Sequence, residues 1–269
     1  MNSKPCYVVN AFCDSSNPAA TGNPAAIVLT TEELSESYMQ TIAAQFNLSE
    51  TAFVHGSRIR YFTPKVEVGL CGHATLAASS VLLNESRAVV EFETIYGTKL
   101  SARKAPDDGV TMTFPNEPVE SMLTEKVLPM LGAAFGLVQQ DVIATSFSEG
   151  LQDLLVEITS ETFENLSIKN LAALHDCDYG RGVILCCVAP DDKDFWSRFF
   201  APKAGIDEDP VTGSAHCALA PYFAKKLGKN VLVGHQQSPR GGIVTCRVQE
   251  RQVHLTGQAS TIVEGKLLK

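Results

Sequence analysis

The chain has 269 residues, a formal net charge of −8 and a hydrophobic content of 45%. Runs of Lys and Arg are never longer than two residues, which argues against a nucleic-acid-binding protein, because phosphate recognition needs a basic face. The longest apolar run, residues 183–189, has the length of a buried strand and is too short to cross a bilayer. We therefore expect a cytoplasmic globular protein of one or two domains, with no nucleic-acid and no membrane partner.

The N-terminal segment predicts two strands and a helix. Strands are expected at residues 7–12 and 25–29, where short apolar runs are bounded by Gly, Pro and Asn. Apolar residues repeat at helical spacing across residues 30–46. Thr30 and Glu33 have the spacing of a capping box, so we expect this helix to begin at Thr30.

A second helix is expected over residues 69–83. It is apolar on almost every face, which is typical of a helix that is buried on all sides. Further strands are expected around it, at residues 47–54, 57–63, 89–105 and 109–119.

The second half of the chain repeats this order. The motif F-x-P-K occurs at residues 62–65 and again at 200–203, in each case before a glycine that opens an apolar helix. We infer an internal duplication, with a boundary within residues 116–126 and domains of residues 1–118 and 119–257. In the second half we expect strands at 149–159, 180–189 and within 241–265, and helices at 161–175 and 214–227.

Duplication has a consequence for ligand binding. Two similar halves that face each other form a cleft, which is the usual place for a small-molecule site. If both buried helices direct their N-termini into that cleft, free backbone N–H groups and two positive dipole ends converge there. Such a site favours an anionic ligand, most simply a small carboxylate substrate.

The polar candidates of the first half are Glu50 and the segment that opens the buried helix. Glu50 is either a solvated loop acid or a general base. Cys71 and His73 are either ordinary packing and first-turn residues or part of a site. In a site, Gly72 lets a ligand approach the backbone, His73 donates a proton, and Cys71 is a base or nucleophile, since a helix N-terminus favours the thiolate.

The candidates of the second half open the other apolar helix. Asp209, Thr212 and Ser214 belong to the residue types preferred at N-caps, so capping explains at least one of them. Capping does not explain why Gly213 has the same place as Gly72 in the first half. Arg240, followed by two glycines, is either a surface arginine in a hairpin turn or a guanidinium that binds a substrate carboxylate.

A metal site is the alternative use of these residues. Cys71, His73, His216 and Cys217 offer four suitable ligands, but their spacing is not that of zinc sites. Side chains of adjacent helical residues diverge by about 100°, so His216 and Cys217 are not expected to bind one ion. We expect no metal. Signatures of nucleotide binding and of α/β-hydrolases are absent from the sequence.

Five segments together resemble the phenazine-biosynthesis-like (PhzF-like) isomerase family of the diaminopimelate epimerase superfamily. The resemblance spans nearly the whole chain. It implies an α+β fold of two similar domains, each a mostly antiparallel, barrel-like sheet around a central helix, with residues 258–269 returning to the first domain. It also implies a homodimer and catalysis without metal or organic cofactor. The segments are GNPAAIV (22–28), NLSETAF (47–53), FTPKVEVGLCGHATLAAS (62–79), DPVTGSAHCALAPYFA (209–224) and QSPRGG (237–242).

The same resemblance matches Glu50 to the family's catalytic acid/base, and His73, Asp209 and Ser214 to the polar residues around it. The function we expect is proton transfer within a small carboxylic acid, either an allylic double-bond shift or an enol–keto isomerisation. One alternative is an amino-acid racemase or epimerase that uses Cys71, for which the second half has no matching thiol. The other is a non-catalytic protein of the same fold that binds a small anion or a protein partner.

Overall fold

A computed structural model describes residues 3–14, 16–17, 20–175 and 179–268. The chain divides into two compact units: unit 1 comprises residues 1–114, 240–243 and 254–269, and unit 2 comprises residues 115–239 and 244–253. In the described part of the chain, no helix is both long and apolar enough to span a membrane. The seven cysteines in that part are free thiols. Cys177, and Ser15, Pro18 and Ala19 of the predicted turn-rich loop, lie outside the described residues.

The strands far outnumber the helices, as the predicted α+β class requires. The strands are β1 (Lys4–Cys13), β2 (Asn23–Thr30), β3 (Glu50–His55), β4 (Arg58–Phe62), β5 (Glu67–Val68), β6 (Val89–Glu93), β7 (Lys99–Lys104), β8 (Val110–Pro115), β9 (Glu120–Ser121), β10 (Val142–Ser148), β11 (Asp153–Ile158), β12 (Gly182–Val188), β13 (Phe195–Ala201), β14 (Ile206–Asp209), β15 (Val231–Gln236), β16 (Gly242–Gln249) and β17 (Gln252–Leu267). The helices are α1 (Glu36–Phe46), α2 (Gly72–Leu82), α3 (Leu128–Phe135), α4 (Ser160–Glu164) and α5 (Gly213–Leu227).

Eight strands of unit 1 close into a barrel. β1 pairs antiparallel with β2, β2 parallel with β3, and β3 antiparallel with β4. β4 pairs parallel with β6, and β6, β7 and β8 follow as antiparallel neighbours. β17 pairs with β8 and, along the whole of β1, antiparallel with β1, which closes the ring.

Helix α2 packs inside this barrel with small side chains. It contacts β1, β2, β3 and β7, and its residues from His73 to Ser79 are all buried. An eight-stranded barrel has little interior space, so a helix there needs Gly, Ala, Ser and Thr, which its sequence GHATLAASS supplies. The Thr75 and Ser79 hydroxyls donate to backbone carbonyls one turn earlier at 2.6 and 2.7 Å, so their burial leaves no polar group unsatisfied. The predicted all-round burial of this helix is confirmed.

Unit 2 repeats the strand pairing of unit 1. β10 pairs antiparallel with β11, β11 parallel with β12, β12 antiparallel with β13, and β13 parallel with β15. The same succession of directions runs from β1 through β4 to β6. Helix α5 follows β14 as α2 follows β5, and it is buried from Ala215 to Ala220. The two units are therefore similar domains, as the duplication predicted.

A pair of matching ion pairs aligns the two units more precisely than the sequence motif does. The Arg60 guanidinium donates to both carboxylate oxygens of Glu67 at 2.7 and 2.6 Å, and Arg198 donates to Glu208 at 2.7 and 2.8 Å. Each guanidinium also lies over the ring of the phenylalanine two residues further on, at 5.3 and 5.1 Å from its centroid. Such bidentate pairs fix geometry as well as adding stability.

The ion pairs show where the second half carries its extra residues. Gly72 lies five positions after Glu67, and Gly213 lies five positions after Glu208. The longer spacing of the second half therefore falls between F-x-P-K and the glutamate. The resulting equivalences are Val68 with Asp209, Cys71 with Thr212, Gly72 with Gly213, and His73 with Ser214.

Two helix predictions are wrong in detail. α1 begins at Glu36 behind Ser35, whose hydroxyl accepts the Tyr38 N–H at 3.3 Å. Thr30, the expected cap, ends β2 and donates its hydroxyl to a backbone carbonyl instead. The helix expected at 161–175 is only α4 and a 3-10 turn at Leu171–Leu174, because the polar segment between them has no apolar face to bury. Helix α3 was not predicted.

Candidate active site

The first cluster of polar side chains lies where β2, β3 and α2 begin. Asn23 is the first residue of β2, Glu50 the first of β3, and His73 the second of α2. β2 and β3 are parallel, with Ala25 opposite Glu50, so both strands start at the same end of the barrel. All three side chains are buried, which explains why polar residues here must bind one another.

His73 links Glu50 to Asn23. Its Nε2 lies 3.2 Å from Glu50 Oε2, and its Nδ1 lies 3.2 Å from the Asn23 amide nitrogen. An amide nitrogen only donates, so in this arrangement Nδ1 accepts and the ring proton is on Nε2, where it is donated to Glu50. Cys71 Sγ lies 3.4 Å from Nδ1 and 3.9 Å from Nε2 of the same ring.

The contact between His73 and Glu50 is a hydrogen bond from a neutral ring rather than an ion pair. Burial lowers the pKa of His73 to about 3, because an imidazolium loses its hydration inside the barrel. At neutral pH the Glu50 carboxylate is thus oriented without a neighbouring positive charge from His73.

Asn23 is a site residue that the sequence reasoning missed, although it lies within the quoted GNPAAIV segment. The residue before it, Gly22, has φ of +80°, and a Cβ there would lie 2.5 Å from the Ala11 carbonyl oxygen. Only glycine is compatible with both conditions. Gly22 therefore allows the tight entry into β2 that places Asn23 beside His73.

The second cluster lies before α5. The Thr212 hydroxyl donates to Asp209 Oδ2 at 2.5 Å. Thr212 is the N-cap residue of α5, but its side chain accepts no hydrogen bond from the helix, so capping is the wrong explanation for it. Gln236 of β15 completes the cluster, since it accepts the Thr212 N–H at 2.9 Å and donates to the Asp209 carbonyl at 2.7 Å. Gln236 was not predicted.

Ser214 contacts an arginine that was also not predicted. Arg181 donates to Ser214 Oγ at 3.1 Å. The same guanidinium donates to both oxygens of the fully buried Asp153, at 3.1 and 2.5 Å. The N-terminus of α5 thus carries a fixed cation next to Ser214.

The other predicted residues have simpler positions. Gly72 and Gly213 are the first residues of α2 and α5. The Arg240 guanidinium donates to the Gly22 carbonyl at 2.8 Å and to Asn10 Oδ1 at 3.2 Å. It therefore holds the turn that precedes Asn23, and its predicted contact with a substrate carboxylate stays a prediction.

The four-ligand metal hypothesis is not supported. The His216 ring bonds the Thr212 carbonyl at 2.8 Å, and the Cys217 thiol points to the Gly213 carbonyl at 3.7 Å. Both side chains thus bond within α5. Among the described residues, the group close enough to hold an ion is instead Glu50, Cys71 and His73, whose ligand atoms all lie within 4.8 Å of one another.

Known proteins resemble this chain over its full length. The phenazine biosynthesis-like protein family model matches residues 9–265. An uncharacterized isomerase of Halalkalibacterium halodurans is 38% identical over 276 residues, covering 100% of both chains. A crystal structure of a PhzF-family phenazine biosynthesis protein from Enterococcus faecalis matches with a TM-score of 0.88 and 36% identity, covering 100% of each chain.

A more distant structure shares the fold. A probable proline racemase from Agrobacterium radiobacter has a TM-score of 0.61 at 12% identity, covering 98% of this chain and 92% of that one. With the full-length matches, this confirms the predicted fold of two barrel-like domains around central helices. The resemblance seen in the sequence segments is also confirmed: the chain belongs to the phenazine biosynthesis-like protein family, whose curated relatives include proteins named as isomerases.

Proposed function

We propose that the protein is a cofactor-independent isomerase that moves a proton between two carbons of a small carboxylic acid, with Glu50 as the acid/base. The observation that carries the proposal is the Glu50–His73 pair. Glu50 is 8% exposed and lies 3.2 Å from a neutral imidazole donor. A neutral donor orients the carboxylate while weakening its basicity less than a cation would, which suits a group that must accept and return a proton.

The proposed reaction conserves atoms and electrons. Glu50 takes a proton from an acidic carbon, and the electron pair of the broken C–H bond enters the substrate's conjugated system. Glu50 then returns the same proton to another carbon, so the double bond shifts or an enol becomes a ketone. Backbone N–H groups at the helix N-termini stabilise the negative charge that develops meanwhile.

We assign Asp209, Thr212, Gly213 and Ser214 to the same active site. Their support is the duplication, because Ser214 is equivalent to His73 and Gly213 to Gly72. Ser214 hydrogen-bonds polar substrate groups, and the cation of Arg181 beside it suits the substrate carboxylate. Asp209 is the runner-up for returning the proton.

The experiment is Glu50→Gln, assayed by NMR in D2O with a panel of small unsaturated and cyclic carboxylic acids. We expect the variant to lose deuterium incorporation by at least ~100-fold, the usual contribution of a positioned acid/base. Glu33→Gln is the matched control, because its side chain is 79% exposed. Exchange at the wild-type rate in Glu50→Gln would exclude Glu50 as the base.

A racemase is the second candidate, favoured by the thiol of Cys71 3.4 Å from His73 Nδ1. Two-base racemisation needs an opposed second base, but the residue equivalent to Cys71 is Thr212. The same exchange assay separates the candidates. Abolished exchange in Cys71→Ala, with normal exchange in Glu50→Gln, would favour the racemase.

A further inference from the structure

We propose that Glu50, Cys71 and His73 form an inhibitory binding site for a divalent transition-metal ion of the Zn²⁺ class. Three ligand types converge there, a carboxylate, a thiol and an imidazole, with all ligand atoms within 4.8 Å of one another. Metal binding itself does not depend on the function proposed above. Inhibition does rest on it, because the ion occupies the acid/base Glu50.

The distances between the ligand atoms are close to those of a tetrahedral site. Zinc bonds of about 2.0 Å to nitrogen and oxygen and about 2.3 Å to sulfur put N and O about 3.3 Å apart, and N and S about 3.5 Å apart. His73 Nε2 lies 3.2 Å from Glu50 Oε2 and 3.9 Å from Cys71 Sγ. Only the thiol must move inward, by a few tenths of an ångström.

The chemistry of the donors selects the ion. Thiolate and imidazole suit Zn²⁺ and Co²⁺, whereas Mg²⁺ and Ca²⁺ prefer sites made of oxygen alone. Three protein ligands leave the fourth tetrahedral position open. The positive end of α2 opposes a cation, so we expect reversible binding that a chelator removes, unlike that of a closed structural zinc site.

Asn23 can support the metal-bound form of His73. When Nε2 binds the ion, the ring proton moves to Nδ1, which then needs an acceptor. Rotation of the Asn23 amide by about 180° presents its oxygen in place of the nitrogen that now lies 3.2 Å from Nδ1. A partner of this kind fixes the ring and typically raises metal affinity 10–100-fold.

Titration of the full-length, EDTA-treated and reduced protein with Co²⁺, followed by absorption spectroscopy, tests the site. We expect one Co²⁺ per chain, a near-ultraviolet thiolate-to-metal band, and loss of that band when Zn²⁺ displaces Co²⁺. Cys71→Ser should lack the band, whereas Cys6→Ser, in β1, should keep it. Asn23→Ala should keep it with an affinity about 10–100-fold weaker. No band in the wild type, or an undiminished band in Cys71→Ser, would overturn the site.

Deuterium exchange with and without Zn²⁺ separates this proposal from the proposed function. We expect Zn²⁺ to suppress wild-type exchange, and EDTA to restore it. If the thiolate band forms but Zn²⁺ leaves exchange unchanged, inhibition is refuted and Glu50 is not the acid/base. If exchange depends on Glu50 but no band forms, the metal site alone is refuted.

Discussion

His73 determines the electrostatic surroundings of Glu50. The ring is 4% exposed, and burial lowers its pKa to about 3, against about 6.5 for a free imidazole. The unfolded chain therefore binds this proton more tightly than the folded one. The stability that the neutral ring contributes is complete above about pH 6.5 and is lost as the pH falls toward 3.

A direct consequence is that the His73 ring should not titrate between pH 5 and 8. We expect the neutral tautomer with its proton on Nε2, because Nδ1 accepts from Asn23. Two-bond ¹⁵N–¹H correlation spectra of histidine-labelled protein measure this, with His73→Gln to assign the signal. A ring that gains a proton near pH 6.5 would mean that Glu50 faces a cation.

Sequence reasoning found some of these residues and missed others for a physical reason. Glu50 and His73 lie in compact segments with recognisable spacing. Asn23 bonds a ring 50 positions away, Gln236 bonds Thr212 24 positions away, and Arg181 bonds Ser214 33 positions away. Such contacts depend on strand order, which hydrophobic periodicity does not encode.

At the level of elements, apolar periodicity predicted best where burial was complete. α2 and α5 were predicted because their packing permits no polar face. The start of α1 was misplaced because Thr30 and Glu33 match a capping pattern by spacing alone, while the strand pairing of β2 extends through Thr30. Tertiary pairing thus decided the boundary.

The N-terminus of α5 carries a prediction of its own. Arg181→Lys keeps the charge but loses the bidentate contact with Asp153 and the bond to Ser214. We expect KM for the carboxylic acid to rise about tenfold, with a smaller change in kcat, because carboxylate binding loses a fixed donor.

Arg198→Lys is the matched control for this experiment. Arg198 forms an equally bidentate pair in the same unit, with Glu208. Its contacts include none to Ser214 among those that the structure describes. An equal rise of KM in both variants would show that Arg181 acts only through stability.

At the scale of the whole molecule, duplication has kept the backbone and changed the chemistry. Both units carry the same bidentate pair and the same glycine at the start of the buried helix. The first unit places Cys and His where the second has Thr and Ser, and Asp209 replaces Val68. The F-x-P-K motif revealed the duplication, but the ion pairs were needed to align it, since the two halves differ in loop length. Unequal half-sites favour one acid/base over two opposed ones.

The central claim is that Glu50 carries one proton from carbon to carbon. The most direct test is a single turnover in H2O of substrate deuterated at the carbon that loses the proton. Because Glu50 is 8% exposed, we predict that a substantial part of the deuterium reappears at the second carbon of the product. Product free of deuterium at that carbon would contradict the account, since a solvent-supplied proton, delivered by Asp209 or water, would then complete the reaction.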